Sequence, residues 1–365
     1  VYPGGTRAVD DVSFEVFDGE CITFVGPSGC GKTTTVKLLN RLVEPTAGSI
    51  YLNGQDTAGT DVIALRRNIG YVIQDVGLFP HMTVAQNIAL VPRLRGWPER
   101  KRYERTEELL HLVSLDPAAF RNRYPHQLSG GQKQRVGVAR GLAADPPVIL
   151  MDEPFGALDP ITRTQLQDEF LRLRARLKKV ILFVTHDMDE AIKLGDRIAV
   201  MRSGRIAQLD TPRKILREPA DPFVQNMVGR ESGIKLMKLL RIADIMDPAE
   251  GMTIPADSLS EAGRRMTEAG KDILLVVDKE GRFQGALSWE QAVRGNRSGG
   301  EDLFGRACPT AEAGDRIDAT LERMLKHERI WLPVVGEERK LQGVVTMTHF
   351  ACFFAAGEVP SGEAS

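Results

Sequence analysis

Between residues 8 and about 229, short runs of apolar and β-branched residues alternate with longer stretches whose apolar positions recur every three or four residues. This alternation predicts an α/β domain on a largely parallel sheet, because parallel neighbours need helical crossovers. Strands are expected over 21–26, 49–52, 69–73, 148–152, 180–185 and 198–201, with a helix over 34–42. Between Gln74 and Gln132 the strand pattern stops, and the Arg- and Glu-rich segment 99–115 carries helical periodicity instead. A helical subdomain over about 75–145 is expected there. Past the proline-containing residues 218–221, Leu236, Leu239, Leu240, Ala243 and Met246 recur at helical spacing, which predicts a helical connector.

The last part of the chain repeats itself at a shift of 58 residues without a gap. Asp257 aligns with Asp315, Met266 with Met324, Leu274 with Leu332, Val276 with Val334, and Gly285 with Gly343. Each copy reads as helix, strand, turn, strand, helix, with strands at 273–277 and 285–288 and again at 330–335 and 343–346. The expected domains are 1–230, a connector over 231–250, a repeat pair over 251–355 (about 251–298 and 303–355), and a flexible tail over 356–365.

Composition narrows the partners. The 365 residues hold 48 Lys+Arg against 49 Asp+Glu, a formal charge of -1, and no basic block stands out, so nucleic acid is not an expected partner. The longest apolar runs, such as 351–356, fall far short of the roughly 20 residues that cross a bilayer, and the start lacks a signal-peptide layout. The chain is expected neither to span a membrane nor to be exported. Cys21, Cys30, Cys308 and Cys352 are scattered without metal-ligand spacing, and free thiols in a reducing cytoplasm are expected. The sequence opens at Val1, directly before motif-rich sequence, so a short preceding segment is expected.

Three motifs carry chemistry. Gly26-Pro27-Ser28-Gly29-Cys30-Gly31-Lys32-Thr33 matches the phosphate-binding loop and falls between an expected strand and an expected helix. Its glycines let backbone N–H groups turn toward phosphate oxygens, Lys32 suits the β- and γ-phosphates, and Thr33 suits Mg²⁺. Residues 148–153 form an apolar run ending in Asp152 and Glu153, placing two carboxylates at the strand edge where open α/β sheets bind ligands. Asp152 suits a contact to Mg²⁺, and Glu153 suits polarising an attacking water. Leu128-Ser129-Gly130-Gly131-Gln132 precedes a helical stretch and offers a second anion-binding helix start. One chain rarely folds so that two such loops grip one nucleotide, which makes a head-to-tail dimer with ATP between subunits reasonable. Alone, the second motif is also a common strand edge and the third an ordinary capped helix.

In this order, with Gln74, Asp159 and His186, the motifs resemble the ATP-binding subunits of ABC transporters over about 1–229. The resemblance implies a P-loop ABC ATPase domain with an inserted helical subdomain. It implies that Tyr2 stacks on adenine and that Gly26, Ser28, Gly29, Cys30, Gly31, Lys32, Thr33 and Thr34 surround the phosphates. Thr33, Gln74 and Asp152 would then hold Mg²⁺, Glu153, His186 and Gln74 would act on the γ-phosphate and water, and Ser129, Gly130, Gly131, Gln132 and Asp159 would complete the ATP site. Residues 26–55, with Asn40-Arg41-Leu42 and Glu44-Pro45-Thr46, are similar to the ATPases of quaternary-amine importers, those for glycine betaine, choline, carnitine or proline. The repeats resemble a tandem CBS pair, a βαββα-like nucleotide-sensing module, although Gln291 and His349 stand where that module often has a ribose-binding Asp.

The partners so implied are a second copy of the chain, a membrane permease docking near 74–87 with its apolar Phe79-Pro80-His81-Met82 loop, an extracytoplasmic substrate-binding protein acting indirectly, and cyclic di-AMP or an ionic-strength response at the repeats. The place implied is the cytoplasmic face of the membrane, as a peripheral subunit. Three other readings stay open: a soluble ABC protein without a membrane partner, an importer ATPase for a different small substrate, and a nucleotide-binding regulator with a vestigial ATPase.

Overall fold

Strands whose two faces are both covered read as near-continuous apolar runs, and the runs ending at Val25, Asp152 and Thr185 have that character. In the computed structural model, which describes residues 1–2, 4–74, 76–156, 158–229, 232–250, 252–255, 261–270, 273–288 and 308–356, they lie at the centre of one sheet. The chain divides into two compact units, Val1–Gly229 and Arg230–Ser365.

The first unit runs β1 (Cys21–Val25), α1 (Lys32–Leu39), a small hairpin of β2 (Tyr51–Leu52) and β3 (Gln55–Asp56), α2 (Val62–Arg67) and β4 (Ile69–Val72). Five helices follow: α3 (Val84–Ile88), α4 (Leu90–Leu94), α5 (Glu99–Leu112), α6 (Pro117–Phe120) and α7 (Gly130–Leu142). Then come β5 (Val148–Asp152), α8 (Pro160–Leu177), β6 (Val180–Thr185), α9 (Met188–Leu194), β7 (Arg197–Arg202), β8 (Arg205–Asp210), α10 (Pro212–Arg217) and α11 (Pro222–Val228). The sheet order is β4-β5-β6-β1-β7-β8, parallel except for β8.

Alternate residues of the central strands feed two cores. Ile149, Met151, Ile181 and Phe183 pack with α5, α7 and α8, while Ile22, Phe24, Leu150, Leu182 and Val184 pack with Val36 of α1 and with Val12, Phe14 and Val16. The edge strand β8 was not expected from the pattern, because its residues are only partly buried. The turn before it, Ser203-Gly204 with φ of 50° and 81°, has the left-handed pair that a two-residue hairpin needs.

In the second unit, β10 (Thr253–Pro255), β11 (Ile273–Val277) and β12 (Phe283–Ser288) form one three-stranded sheet; β9 (Asp247–Pro248), β13 (Trp331–Val335) and β14 (Leu341–Thr346) form another. Residues equivalent in the repeat occupy equivalent rungs. Val276 pairs with Gly285 and Val334 with Gly343, and both ladders shift register at the next residue. The strand β9, which precedes both copies, completes the sheet of the second copy.

The helical spacing from Leu236 to Met246 is not realised as one continuous helix. A helix at Ser232–Leu239 gives way to a 3₁₀ turn at Ile242–Asp244, because Arg241 N donates to Asp244 Oδ2 and Ile242 N donates to Asp315 O. Asp257, Gln291, the first copy beyond residue 288 and the tail from 357 lie outside the described residues, as does the side chain of Cys352.

The helical subdomain is seated on the sheet through two glycines. A Cβ at Gly70 of β4 would lie 2.4 Å from Gly141 O of α7, and one at Gly141 would lie 3.0 Å from a Val72 methyl. Gly70→Ala therefore forces helix and strand apart, with an expected loss of about 1–3 kcal/mol and a fall of roughly 2–10 °C in thermal midpoint. An unchanged melting curve would show that this contact does not seat the helix.

Candidate functional site

The Gly26–Thr33 loop is shaped by contacts that exclude side chains. A Cβ at Gly26 would lie 2.4 Å from Met201 O, and one at Gly31 would lie 2.3 Å from Ala8 O in a residue whose φ is +111°. Gly29, at φ +79°, has open space around its missing Cβ, and Ser28 beside it is exposed. Within the curl, Lys32 is buried and its Nζ donates to Gly26 O at 2.7 Å and to Pro27 O at 3.0 Å, with Cys30 Sγ at 3.7 Å. The N-cap of α1 is Gly31, which has no side chain to accept from the first-turn N–H groups of Lys32, Thr33 and Thr34. Those donors suit an anion. A cleft of about 530 Å³ runs alongside, lined among others by Tyr2, Arg7, Ala8 and Thr34, with the Tyr2 hydroxyl 3.3 Å from Thr34 Oγ1.

Three neighbouring strands deliver the other groups to the same edge. Gln74 follows β4, Asp152 ends β5 with Glu153 directly after it, and His186 follows β6. Thr33 Oγ1 donates to Asp152 Oδ1 at 3.0 Å. Gln74 Nε2 donates to Glu153 Oε2 at 3.2 Å, and His186 Nδ1 meets the same oxygen at 3.2 Å. An ionised carboxylate only accepts, so Nδ1 carries the hydrogen and Nε2 is left for another partner. Glu153 itself has φ +46°, a left-handed conformation that is costly outside glycine, held by its N–H donating to Val184 O at 3.0 Å. The hydroxyl and carboxylate oxygens of Thr33 and Asp152 are the hard donors that Mg²⁺ selects alongside substrate phosphate. Among the described residues no cluster of three or more His, Cys, Asp or Glu could hold a metal alone. The pair offers two oxygen donors, which fits a cation completed by phosphate oxygens.

Asp152 is buried, and desolvation pushes its carboxyl above the usual range, with Glu153 adding to the rise and Thr33 opposing it. Glu190 is shifted the same way by burial. It accepts from Gln167 Nε2 at 2.9 Å and from Thr185 Oγ1, while Thr185 Oγ1 also accepts from Asp187 N. This buried group fixes the turn that presents His186, and neither Glu190 nor Gln167 was legible beforehand, since each bonds across the fold.

The remaining predicted residues gather elsewhere. Ser129 caps α7 by accepting from Gln132 N at 3.3 Å, and Gln132 Oε1 accepts from Ser129 N at 3.0 Å. Asp159 caps α8 by accepting from Thr162 N at 3.0 Å, and these backbone bonds hold its carboxyl below the usual range. The two starts touch: a Cβ at Gly131 would lie 2.9 Å from Thr162 Cγ2, and one at Gly130 3.9 Å from a Leu158 methyl. Among the described residues no hydrogen bond joins this pair of helix starts to the Gly26–Thr33 loop.

The family model described as ABC transporter matches residues 9–156, and that of the CBS domain matches 301–355. The chain is 50% identical, over 94% of its length and 91% of the relative's, to the choline transport ATP-binding protein OpuBA of Bacillus subtilis. It is 48% identical to the glycine betaine/carnitine/choline transport ATP-binding protein OpuCA of the same organism, with 95% and 92% of the two chains covered. It is 44% identical to the osmoprotectant import ATP-binding protein OsmV of Salmonella typhimurium, with 96% and 92% covered. Among solved structures, the dimeric post-hydrolysis state of the ATP-binding cassette MJ0796 bound to ADP and Pi is similar with a TM-score of 0.53 and 33% identity, covering 58% of this chain and 94% of that one.

The shift at Asp152 has a sign that can be measured. A carboxyl whose folded pKa is raised favours the folded state below its unfolded pKa, and that advantage is lost as pH rises through the folded value. Asp152→Asn keeps an acceptor for Thr33 and removes the buried charge. Its thermal midpoint, without nucleotide, is expected to match the parent near pH 4 and to exceed it increasingly toward pH 7, while Mg²⁺-dependent hydrolysis is lost. A midpoint below the parent at pH 7 would mean that the carboxylate is stabilising.

Proposed function

The chain belongs to the ABC transporter ATP-binding family, whose members hydrolyse ATP to drive transport, and from that premise we propose that it powers uptake of an osmoprotectant of the quaternary-amine class, such as glycine betaine, choline or carnitine. The observation that carries the catalytic part is the shared Glu153 oxygen, which receives Gln74 and His186 beside the Thr33–Asp152 pair. Phosphoryl transfer to water asks mainly for positioning and charge stabilisation. Lys32, turning from the Gly26 and Pro27 carbonyls, would bind the β- and γ-phosphates. Glu153 would accept a hydrogen bond from the attacking water, with Gln74 and His186 holding that carboxylate in place. Thr33 and Asp152 would hold Mg²⁺, which when bound would neutralise charge on the phosphates.

The loop at Ser129 would act on ATP held by a second copy of the chain, since within one chain it packs with the start of α8. The site is then composite, with Tyr2 against the base and the α7 start closing over the γ-phosphate from the partner. A permease would dock on the helical subdomain. There buried Asn87 accepts from Phe79 N at 2.8 Å and donates to Phe79, Met82 and Thr83 carbonyls, building a loop from which Phe79 projects, 41% exposed. A groove of about 390 Å³ lined by Met82, Gln86, Leu90 and Tyr103 adjoins it. The chain would work as a peripheral subunit at the cytoplasmic face of the membrane, receiving substrate indirectly through an extracytoplasmic binding protein. No helix among the described residues is long and apolar enough to cross a membrane.

The repeats would act as a gate, with cyclic di-AMP or ionic strength as the input. In place of a ribose-binding Asp, His349 accepts from Thr346 N through Nδ1 at 3.1 Å and pairs through Nε2 with Asp247 at 3.2 Å, so this side chain is committed within the fold.

The test joins chemistry and cargo. Assembled with its permease, the wild-type chain is expected to drive accumulation of labelled glycine betaine, choline or carnitine. Glu153→Gln should bind ATP normally and lose hydrolysis and uptake together by about 10²- to 10⁴-fold. Parental hydrolysis by the variant would remove Glu153 from the mechanism. Active hydrolysis without uptake of any of the three amines would move the cargo outside this class.

A further inference from the structure

Helix α7 starts at the Ser129 loop and carries Arg140 near its other end, about 15 Å along the axis. Among the described residues no carboxylate pairs with Arg140. Its guanidinium instead donates from Nη1 to Gly77 O and from Nη2 to Val76 O, both at 2.6 Å. Such paired charge-assisted bonds use the rigid fork that only arginine has. Burial lowers the Arg140 pKa, yet a guanidinium stays charged at neutral pH.

The two carbonyls belong to the turn just after Gln74, and that turn is strained. Val76 has φ +52° and Gly77 φ +54°, and the left-handed region is a costly one for a β-branched side chain. The same helix braces the turn by packing as well, since a Cβ at Gly137 would lie 2.7 Å from Val76 Cγ1. Two residues upstream, Gln74 donates to the Glu153 carboxylate.

We propose that Arg140 is a positioning residue which, by gripping the Val76 and Gly77 carbonyls, makes the placement of α7 decide whether Gln74 reaches Glu153. The Ser129 loop then lies at one end of α7, and the turn that leads from Gln74 is held near its other end. This rests on the ATPase reading given above. Loosening the grip leaves the phosphate loop untouched, so binding is spared and turnover falls.

The experiment is a double-mutant cycle on the full chain, measuring Mg²⁺-dependent ATP hydrolysis and the affinity for a fluorescent ATP analogue. Arg140→Ala should lower kcat about tenfold or more with KM and analogue affinity within about twofold, and Arg140→Lys should recover part of the loss. In a Gln74→Ala background, itself slow, Arg140→Ala should cost less than about a further twofold, because both changes interrupt one path. Parental kcat in Arg140→Ala or in Gln74→Ala, or losses that multiply in the double variant, would overturn the proposal. Should Arg140→Ala not fold, Gly137→Ala takes its place in the cycle: its methyl pushes Val76 while the guanidinium remains, and multiplying losses there overturn the proposal equally. A wild-type chain without ATPase activity would instead sink the hydrolysis reading itself.

Discussion

One carboxylate oxygen joins three neighbouring strand ends at the candidate site. Glu153 Oε2 takes hydrogen bonds from Gln74 and His186, and these three residues leave the ends of β4, β5 and β6, which are neighbours in the sheet. Parallel order puts the three strand ends on one side, and the left-handed backbone at Glu153 turns the side chain across them. Replace either of the two crossovers by an antiparallel hairpin and one of the groups would leave from the opposite edge. The fold is thus a requirement of the site, and buried side chains of all three strands supply the apolar area that holds it.

The two glycine-rich helix starts differ in how their donors are used. At α1 the cap is glycine, so the first-turn N–H groups have no side-chain acceptor and Lys32 is folded inside the loop. At α7 Ser129 and Gln132 satisfy each other, and the start packs on α8 beside Asp159. A helix start without a side-chain acceptor leaves its first-turn donors for an anion, whereas one already capped has part of that need met within the chain. Asp152 follows the same logic, being a carboxyl whose pKa burial raises and a bound cation would lower again.

What the sequence made legible was local. The phosphate loop, the Asp152-Glu153 strand edge, the capped start at Ser129 and the gapless repeat all depend on residues close together in the chain, and the repeat reappears as matched rungs at Val276–Gly285 and Val334–Gly343. What escaped notice depends on partners that no periodicity or motif marks. The connector breaks after Leu239 because Asp315 offers an acceptor to Ile242, β8 is an edge strand too half-exposed to show a strong pattern, and Asn87, Glu190 and Arg140 are polar residues whose roles lie in the carbonyls and hydroxyls they reach. Their spacing carries no signal, since the bonds they make are set by tertiary packing.

In the composite site proposed above, one hydrolytic centre needs the α1 start of one copy and the α7 start of another. Mixing Lys32→Ala chains with Ser129→Arg chains tests it most directly, because a heterodimer then holds one doubly damaged centre and one intact centre. Partial ATPase activity on mixing, absent from either variant alone, is the predicted result; no recovery in a mixture shown to form heterodimers, or full activity in a monomeric chain, would contradict it.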